Sequence, residues 1–230
     1  MTEFPKKGQK LFIESGDYHK FSHFAWGNIN DQFYGYISGY KKSADLIIKN
    51  ALKCKDILIL DTCIFPACFL YRQYIELTLK DMYLSYSEEN KEEKIEAIKR
   101  ISHNLHSIWI KVKPLILKYF PDDNIDTLQA VEDYLIQFIN EDSNSFSFRY
   151  PITKDLRLVH TKERRINIEN LAKRMNELES FFSAVSTAIG VMKDFEDEMK
   201  RYYEADMQGY YDNYETDDMY NCYDDYNNEF

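Results

Sequence analysis

The chain is short of the residues that break helices. Seven glycines and five prolines in 230 residues are too few for the turn-rich folds built from many short strands. Cysteine is scarce as well. Cys54, Cys63, Cys68 and Cys222 lack the paired spacing of a zinc site, and Cys63 and Cys68 stand off a common helix face. Their expected role is that of small buried hydrophobes. Long apolar runs are missing. The longest, 57–71, contains Asp61 and Pro66 and falls short of the roughly 20 residues that span a bilayer. Residues 1–10 are polar and basic, unlike a cleavable leader. No membrane partner is expected, and a reducing cytoplasm is the expected location. There is no glycine-rich phosphate loop, zinc-protease motif or nucleophile elbow. No cofactor and no metal are therefore expected. His19 and His23 have helical i, i+4 spacing but no carboxylate ligand motif beside them.

Aromatic residues, by contrast, are abundant, with 15 Phe and 19 Tyr. The formal charge of -10 is unevenly spread. Tyr203–Phe230 holds nine acidic residues and no Lys or Arg, which leaves -1 for residues 1–202. The body is near neutral with local basic patches, so the net charge does not exclude an RNA partner. The acidic tail has no Leu, Ile or Val and cannot bury a conventional core, which predicts disorder. It reads either as a solvated tail or as a segment that folds onto a basic groove, its own or a partner's.

Hydrophobic spacing predicts an all-α bundle of long antiparallel helices. We divide the chain into an N-terminal arm (1–20), a helical domain (21–202) and the acidic Tyr-rich tail (203–230). Apolar residues recur at helical intervals from about Phe21 to Lys53, with Asp31 as a candidate cap. The most apolar and aromatic stretch, Phe65–Tyr86, is the expected central helix, with Pro66 in its first turn or at a kink. A short helix over Glu92–Arg100 precedes a second long one through Tyr119, with Ser102 as its candidate N-cap and Pro114 as a bend. Further helices are expected over Ile125–Asn140 and from Ile168 to about Met207. Between them, 146–159 reads as a short β-hairpin.

Within the central stretch Arg72, Glu76 and Lys80 recur every four residues, on one line of a helix. They form either a surface ion-pair ladder or the charged wall of a site. His103 and His106 lie at a helix start, where the N-terminal end favours anions, with Arg100 or Arg149 available beside a phosphate. Phe148-Arg149-Tyr150-Pro151 puts a cation and a phenol on an extended segment. RNA cleavage needs little more. A histidine exchanges the proton, Arg or Lys stabilises the phosphorane charge, and the RNA 2′-hydroxyl is the internal nucleophile. The candidate catalytic residues are therefore His103, Arg149 and Arg72. Glu76, Lys80, Arg100, Asn104, His106 and Tyr150 are candidate substrate contacts.

Three places in the chain resemble the HEPN superfamily, helical-bundle proteins of prokaryotic conflict and toxin–antitoxin systems. They are Phe69-Leu70-Tyr71-Arg72-Gln73-Tyr74-Ile75-Glu76-Leu77 with Lys80, then Ser102-His103-Asn104-Leu105, then Arg149-Tyr150-Pro151. The last two are similar to the His-Asp-Leu and Arg-Tyr-Pro of the nucleotidyltransferase-associated branch. The resemblance covers about residues 65–192. It implies a helical bundle, homodimerisation, an antiviral defence or toxin–antitoxin setting with an antitoxin or other partner protein, and metal-independent ribonuclease activity. Nuclease members of that superfamily carry Arg followed after four to six residues by His near the last helix. Here the last helix contains no His. Non-catalytic members act as binding and assembly modules, which is the alternative reading. A third is a bundle whose aromatic helices line a small-molecule or nucleotide pocket.

Overall fold

A computed structural model describes residues 4–121, 125–143 and 145–224, with side chains described as far as Met207. The fold is an all-α bundle. Its helices are α1 (Ile29–Cys54), α2 (Ile57–Tyr86), α3 (Lys91–Ile101), α4 (Leu105–Tyr119), α5 (Ile125–Glu141) and α6 (Ile168–Asp224). None of the described residues before Ile29 is buried. Among the described residues no helix is long and apolar enough to cross a membrane.

The start of α1 is fixed by a reciprocal box. The Asn28 side chain accepts from the Asp31 backbone N–H at 3.1 Å, and the Asp31 carboxylate accepts from the Asn28 N–H at 2.8 Å. Asp31 is thus the second half of the cap rather than the cap itself. The chain before it is not helical, with Ala25 and Gly27 at positive φ. Gly35 leaves room for the indole of Trp26, since a Cβ there would come within 3.1 Å of the ring.

Only Lys55 and Asp56 separate α1 from α2, so the two helices fold back on each other and pack along their length. The buried face of α1 is Lys41, Ala44, Ile48 and Ala51, a single stripe. The buried residues of α2 instead run around the helix, from Ala67, Cys68 and Tyr71 through Ile75 and Leu79 to Tyr83. It is the central element, packed against α1, α4 and α6. It begins a full two turns earlier than the sequence suggests. Asp56 caps it by accepting from the Leu58 N–H at 2.8 Å, and Pro66 lies inside it. A proline removes one hydrogen bond from the ladder, and the apolar turns on both sides hold the helix across the gap.

Two further expectations need correction. The N-cap of α4 is Asn104, whose side chain accepts from the Ser107 N–H at 3.0 Å. Ser102 instead ends α3, at φ 50°. The hairpin over 146–159 reduces to one antiparallel bridge, Ile152 with Leu158. No strand occurs among the described residues. The expected disorder from Tyr203 onward lies outside the described residues in its side chains beyond Met207 and its backbone beyond Asp224.

Candidate functional site

The line of charge on α2 is turned inward. Arg72 is wholly buried and Glu76 is 2% exposed. All three guanidinium nitrogens of Arg72 are engaged. Nε donates to the Asp142 carbonyl at 3.0 Å, Nη1 to Glu76 Oε2 at 2.9 Å and Nη2 to the His103 carbonyl at 2.6 Å. One side chain therefore ties the middle of α2 to the end of α5 and to the α3–α4 junction. Three of its five N–H groups are engaged, and burial keeps the rest from solvent. The expected catalytic Arg72 is thus a buried tie between elements, with no side-chain surface open to solvent.

Glu76 shares its second oxygen between two groups. Lys80 Nζ donates to Oε1 at 2.7 Å, and His103 Nδ1 lies 2.9 Å from the same atom. Lys80 also donates to the Ser102 carbonyl at 2.6 Å. Burial alone would raise the Glu76 carboxyl. The bond and charge of Lys80, with the bonds from His103 and Arg72, outweigh it and hold the group below the usual carboxylate range. Both Glu76 oxygens are engaged in these contacts, and Lys80 spends two of its three N–H groups on them while staying partly exposed.

His103 is the accessible member of this network, with 57% of its side chain exposed. A carboxylate on Nδ1 fixes the ring orientation and favours the tautomer that leaves Nε2 as the outer nitrogen, where it can take up a proton. The sequence places these residues together for a simple reason. Ser102 and the following turn end α3 and start α4 within three residues, and the Ser102 and His103 carbonyls, which lie outside the helical ladders, need donors. Lys80 and Arg72 supply them, and the imidazole follows its own backbone onto Glu76.

Arg149 lies farther along the same face of α2. Its Nε donates to the Ser145 carbonyl, and its guanidinium lies 5.9 Å from the ring centre of Phe69 and 5.6 Å from that of Tyr150. Ser145 in turn accepts from the Gln73 amide at 2.7 Å. Arg149 and Tyr150 are both exposed. The remaining candidates are dispersed. Arg100 lines a hollow of about 610 Å3 with Glu89, Glu92, Glu93, Glu96 and Lys111, apart from the His103 network and with acidic groups outnumbering basic ones. Asn104 is occupied as the α4 cap. His106 is exposed and lies toward Glu132 of α5. The hollow suited to a small apolar ligand, about 300 Å3 and lined by Ile116, Phe120, Leu128, Phe181 and Val185, is elsewhere in the bundle and holds none of these polar groups.

Two buried polar centres have no counterpart in the sequence reading. Asp142 stands just past α5, and its Oδ1 accepts from the Phe146 and Ser147 N–H groups at 2.6 and 3.0 Å. It shapes the turn whose carbonyls receive Arg72 and Arg149. An acidic residue directly after a helical stripe was the available signal. Lys41, 1% exposed, donates to Asp45 at 2.7 Å and Asn176 at 2.7 Å, and it pairs with Glu179 at 3.0 Å. Tyr71 donates to the other oxygen of Asp45 at 2.7 Å. This second network fastens α1, α2 and α6 together. Nothing in the spacing of Lys41 distinguishes it from a surface lysine.

Comparisons with protein-family models, curated proteins and solved structures returned no match.

Proposed function

We propose that the chain acts on RNA, as a HEPN-like effector of a prokaryotic defence or toxin–antitoxin system, with His103 as its acid/base group. One observation carries the reading. A buried carboxylate, neutralised by Arg72 and Lys80, holds Nδ1 of an otherwise exposed imidazole at 2.9 Å. Fastening the helices requires the carbonyl and cation contacts; it does not require the imidazole.

In the proposed reaction His103 Nε2 takes the proton of a 2′-hydroxyl. The 2′-oxygen bonds to phosphorus as the bond to the 5′-oxygen breaks, and the leaving oxygen takes a proton from water. The products are a 2′,3′-cyclic phosphate and a 5′-hydroxyl. Arg149 offsets phosphate charge. Arg72 and Glu76 act through His103, and no metal takes part. The reading assigns the chain to the cytoplasm.

The test is incubation of the purified chain with cellular RNA in EDTA. We expect cleavage, reduced by about 10²- to 10⁴-fold in His103→Ala, the usual worth of a positioned acid or base. Intact RNA and no binding at low salt would remove the proposal.

A second reading is a non-catalytic assembly module that pairs with itself or an antitoxin. It is favoured by the apolar side chains that α6 exposes beyond the bundle, Val191, Phe195, Tyr202 and Tyr203 among them. A chain that stays monomeric at high concentration and captures no partner would count against it.

A further inference from the structure

We infer that the loop Arg149–Arg165, with the aromatic rings beside it, is a stacking platform for an unpaired RNA strand laid along α2 toward His103. The inference rests on the RNA reading above, but its evidence is separate. It comes from charge, from rings and from their position along one helix.

The charge is local and opposite to that of the chain. Between Arg149 and Arg165 there are six Lys or Arg and two acidic residues, a net of +4 in a protein of -10. Lys154, Arg157, Lys162 and Arg165 are exposed, and none of them enters an ion pair among the described residues. Arg164 is paired with Glu141. Cations left unpaired on a loop are the groups that release counterions when a phosphate backbone arrives.

The rings are arranged in relays rather than scattered. Tyr150 stands 4.9 Å from Phe146, with the Arg149 guanidinium beside it. His160 is stacked on Phe148 at 6.0 Å and lies 5.8 Å from Phe65. A hydrogen-bond contact of 3.1 Å between His160 Nε2 and the Ser147 carbonyl steadies that ring. Tyr150 is 50% exposed and Phe65 44% exposed. Bulky rings held at the surface by their neighbours lose little freedom when a base stacks on them. Every base has a π-face, so such a surface is sequence-tolerant. A duplex hides those faces, which makes the platform selective for unpaired strands.

Position supplies the direction. Phe65, Phe69, Gln73, Glu76 and Lys80 fall on one line of α2. They meet, in order, His160, Arg149, Ser145, His103 and Ser102. From Phe65 to Glu76 the helix rises about 16 Å. That is room for about five nucleotides at a stacked rise of about 3.4 Å. A strand stacked at His160 and Tyr150 therefore brings a phosphodiester to the exposed imidazole of His103.

The test uses the full chain and fluorescent oligonucleotides with 2′-O-methyl sugars, which His103 cannot cleave. Anisotropy titrations compare a ten-nucleotide single strand, a three-nucleotide strand, the corresponding duplex and poly-glutamate. We expect the ten-nucleotide strand to bind most tightly. Tyr150→Ala and His160→Ala should each weaken it by about 5- to 100-fold, the range for one lost base–aromatic stack. Arg157→Ala should lower the slope of log affinity against log salt by about 0.7. Lys99→Ala, on an exposed pair of α3 away from the loop, should leave binding unchanged. Both rings lie on an exposed loop, and circular dichroism checks that the variants remain folded. Equal binding of single strand and duplex, or of poly-glutamate, overturns the platform, as does unchanged affinity in both ring variants. If cleavage persists in those variants with unchanged affinity, the platform fails and the proposed reaction stands. Single-strand binding with these sensitivities but no cleavage supports the platform and removes the reaction.

Discussion

Replacing Glu76 by Gln should destabilise the protein far more than its conservative shape suggests. The carboxylate receives Arg72 Nη1 on one oxygen and Lys80 Nζ with His103 Nδ1 on the other. A glutamine keeps the outline and one acceptor but turns an amide nitrogen, with its two hydrogens, toward another donor. Lys80 and His103 retain some access to solvent and can turn to water. Arg72, wholly buried, cannot. Asp142, equally buried, keeps a carboxylate oxygen 3.5 Å from Arg72 Nε, so the guanidinium stays partly compensated, and the cost is about 1.5–3 kcal/mol, the worth of a hydrogen bond to a charged group, rather than that of a lone buried charge. Urea unfolding followed by helical circular dichroism measures it. At a slope of about 3 kcal/mol per molar urea, the midpoint should fall by about 0.5–1 M. Arg72→Met with Glu76→Met should not restore stability. Arg72 also satisfies the carbonyls of Asp142 and His103, and each orphaned buried acceptor costs about 1–3 kcal/mol. Lys99→Ala is the control. Its pair with Glu96 is about two-thirds exposed on both sides, and such pairs contribute about 0–1 kcal/mol. If Glu76→Gln costs no more than Lys99→Ala, Arg72 is not locked in the way described.

Other consequences can be checked with the same preparations. The Glu76 carboxyl is held below its ordinary value of 4.5, so its contribution is complete above that pH and is lost as pH falls through the lowered folded value. Wild-type stability should therefore drop on acidification below about pH 4.5 more steeply than that of Glu76→Gln; parallel acid profiles would contradict the assignment. Asn104→Ala should cost about 1 kcal/mol through loss of the α4 cap and lower Tm by about 2–4 °C, and Ser102→Ala should not, a contrast that thermal scans resolve. Burial pushes the Cys68 thiol up to about 12, whereas Cys54 is exposed. Alkylation at pH 8 with peptide mapping should label Cys54 quickly and Cys68 only as the protein unfolds, and equal rates would show the core to be open at α2.

The parts of the fold legible in the sequence are those where burial is one-sided. The stripes of α1, α4 and α5 announce themselves because their buried residues recur on one face, even though Leu46, Ile110 and Ile136 stay exposed on the other side. For α2 the type was plain but the start was not, because Pro66 weighs as a beginning in any local reading, while tertiary packing carries the helix through it. The spacing of Arg72, Glu76 and Lys80 is equally visible, and the fold brings His103 Nδ1 to 2.9 Å from Glu76. Their burial was not visible, because an i, i+4 line of charge looks the same whether water or backbone carbonyls receive it. The carbonyls of Asp142, Ser102 and His103 decide the matter, and backbone acceptors have no sequence signature. Lys41 was missed for a related reason, since two of its partners, Asn176 and Glu179, lie far away in the chain on α6.

The most direct measurement is the chemistry of the RNA ends left by the full chain in EDTA. The account predicts 2′,3′-cyclic phosphate and 5′-hydroxyl termini from wild type, with their appearance lost in His103→Ala while the variant still binds single strands. Ends carrying a 5′-phosphate, or cyclic ends produced as fast by His103→Ala as by wild type, would contradict it.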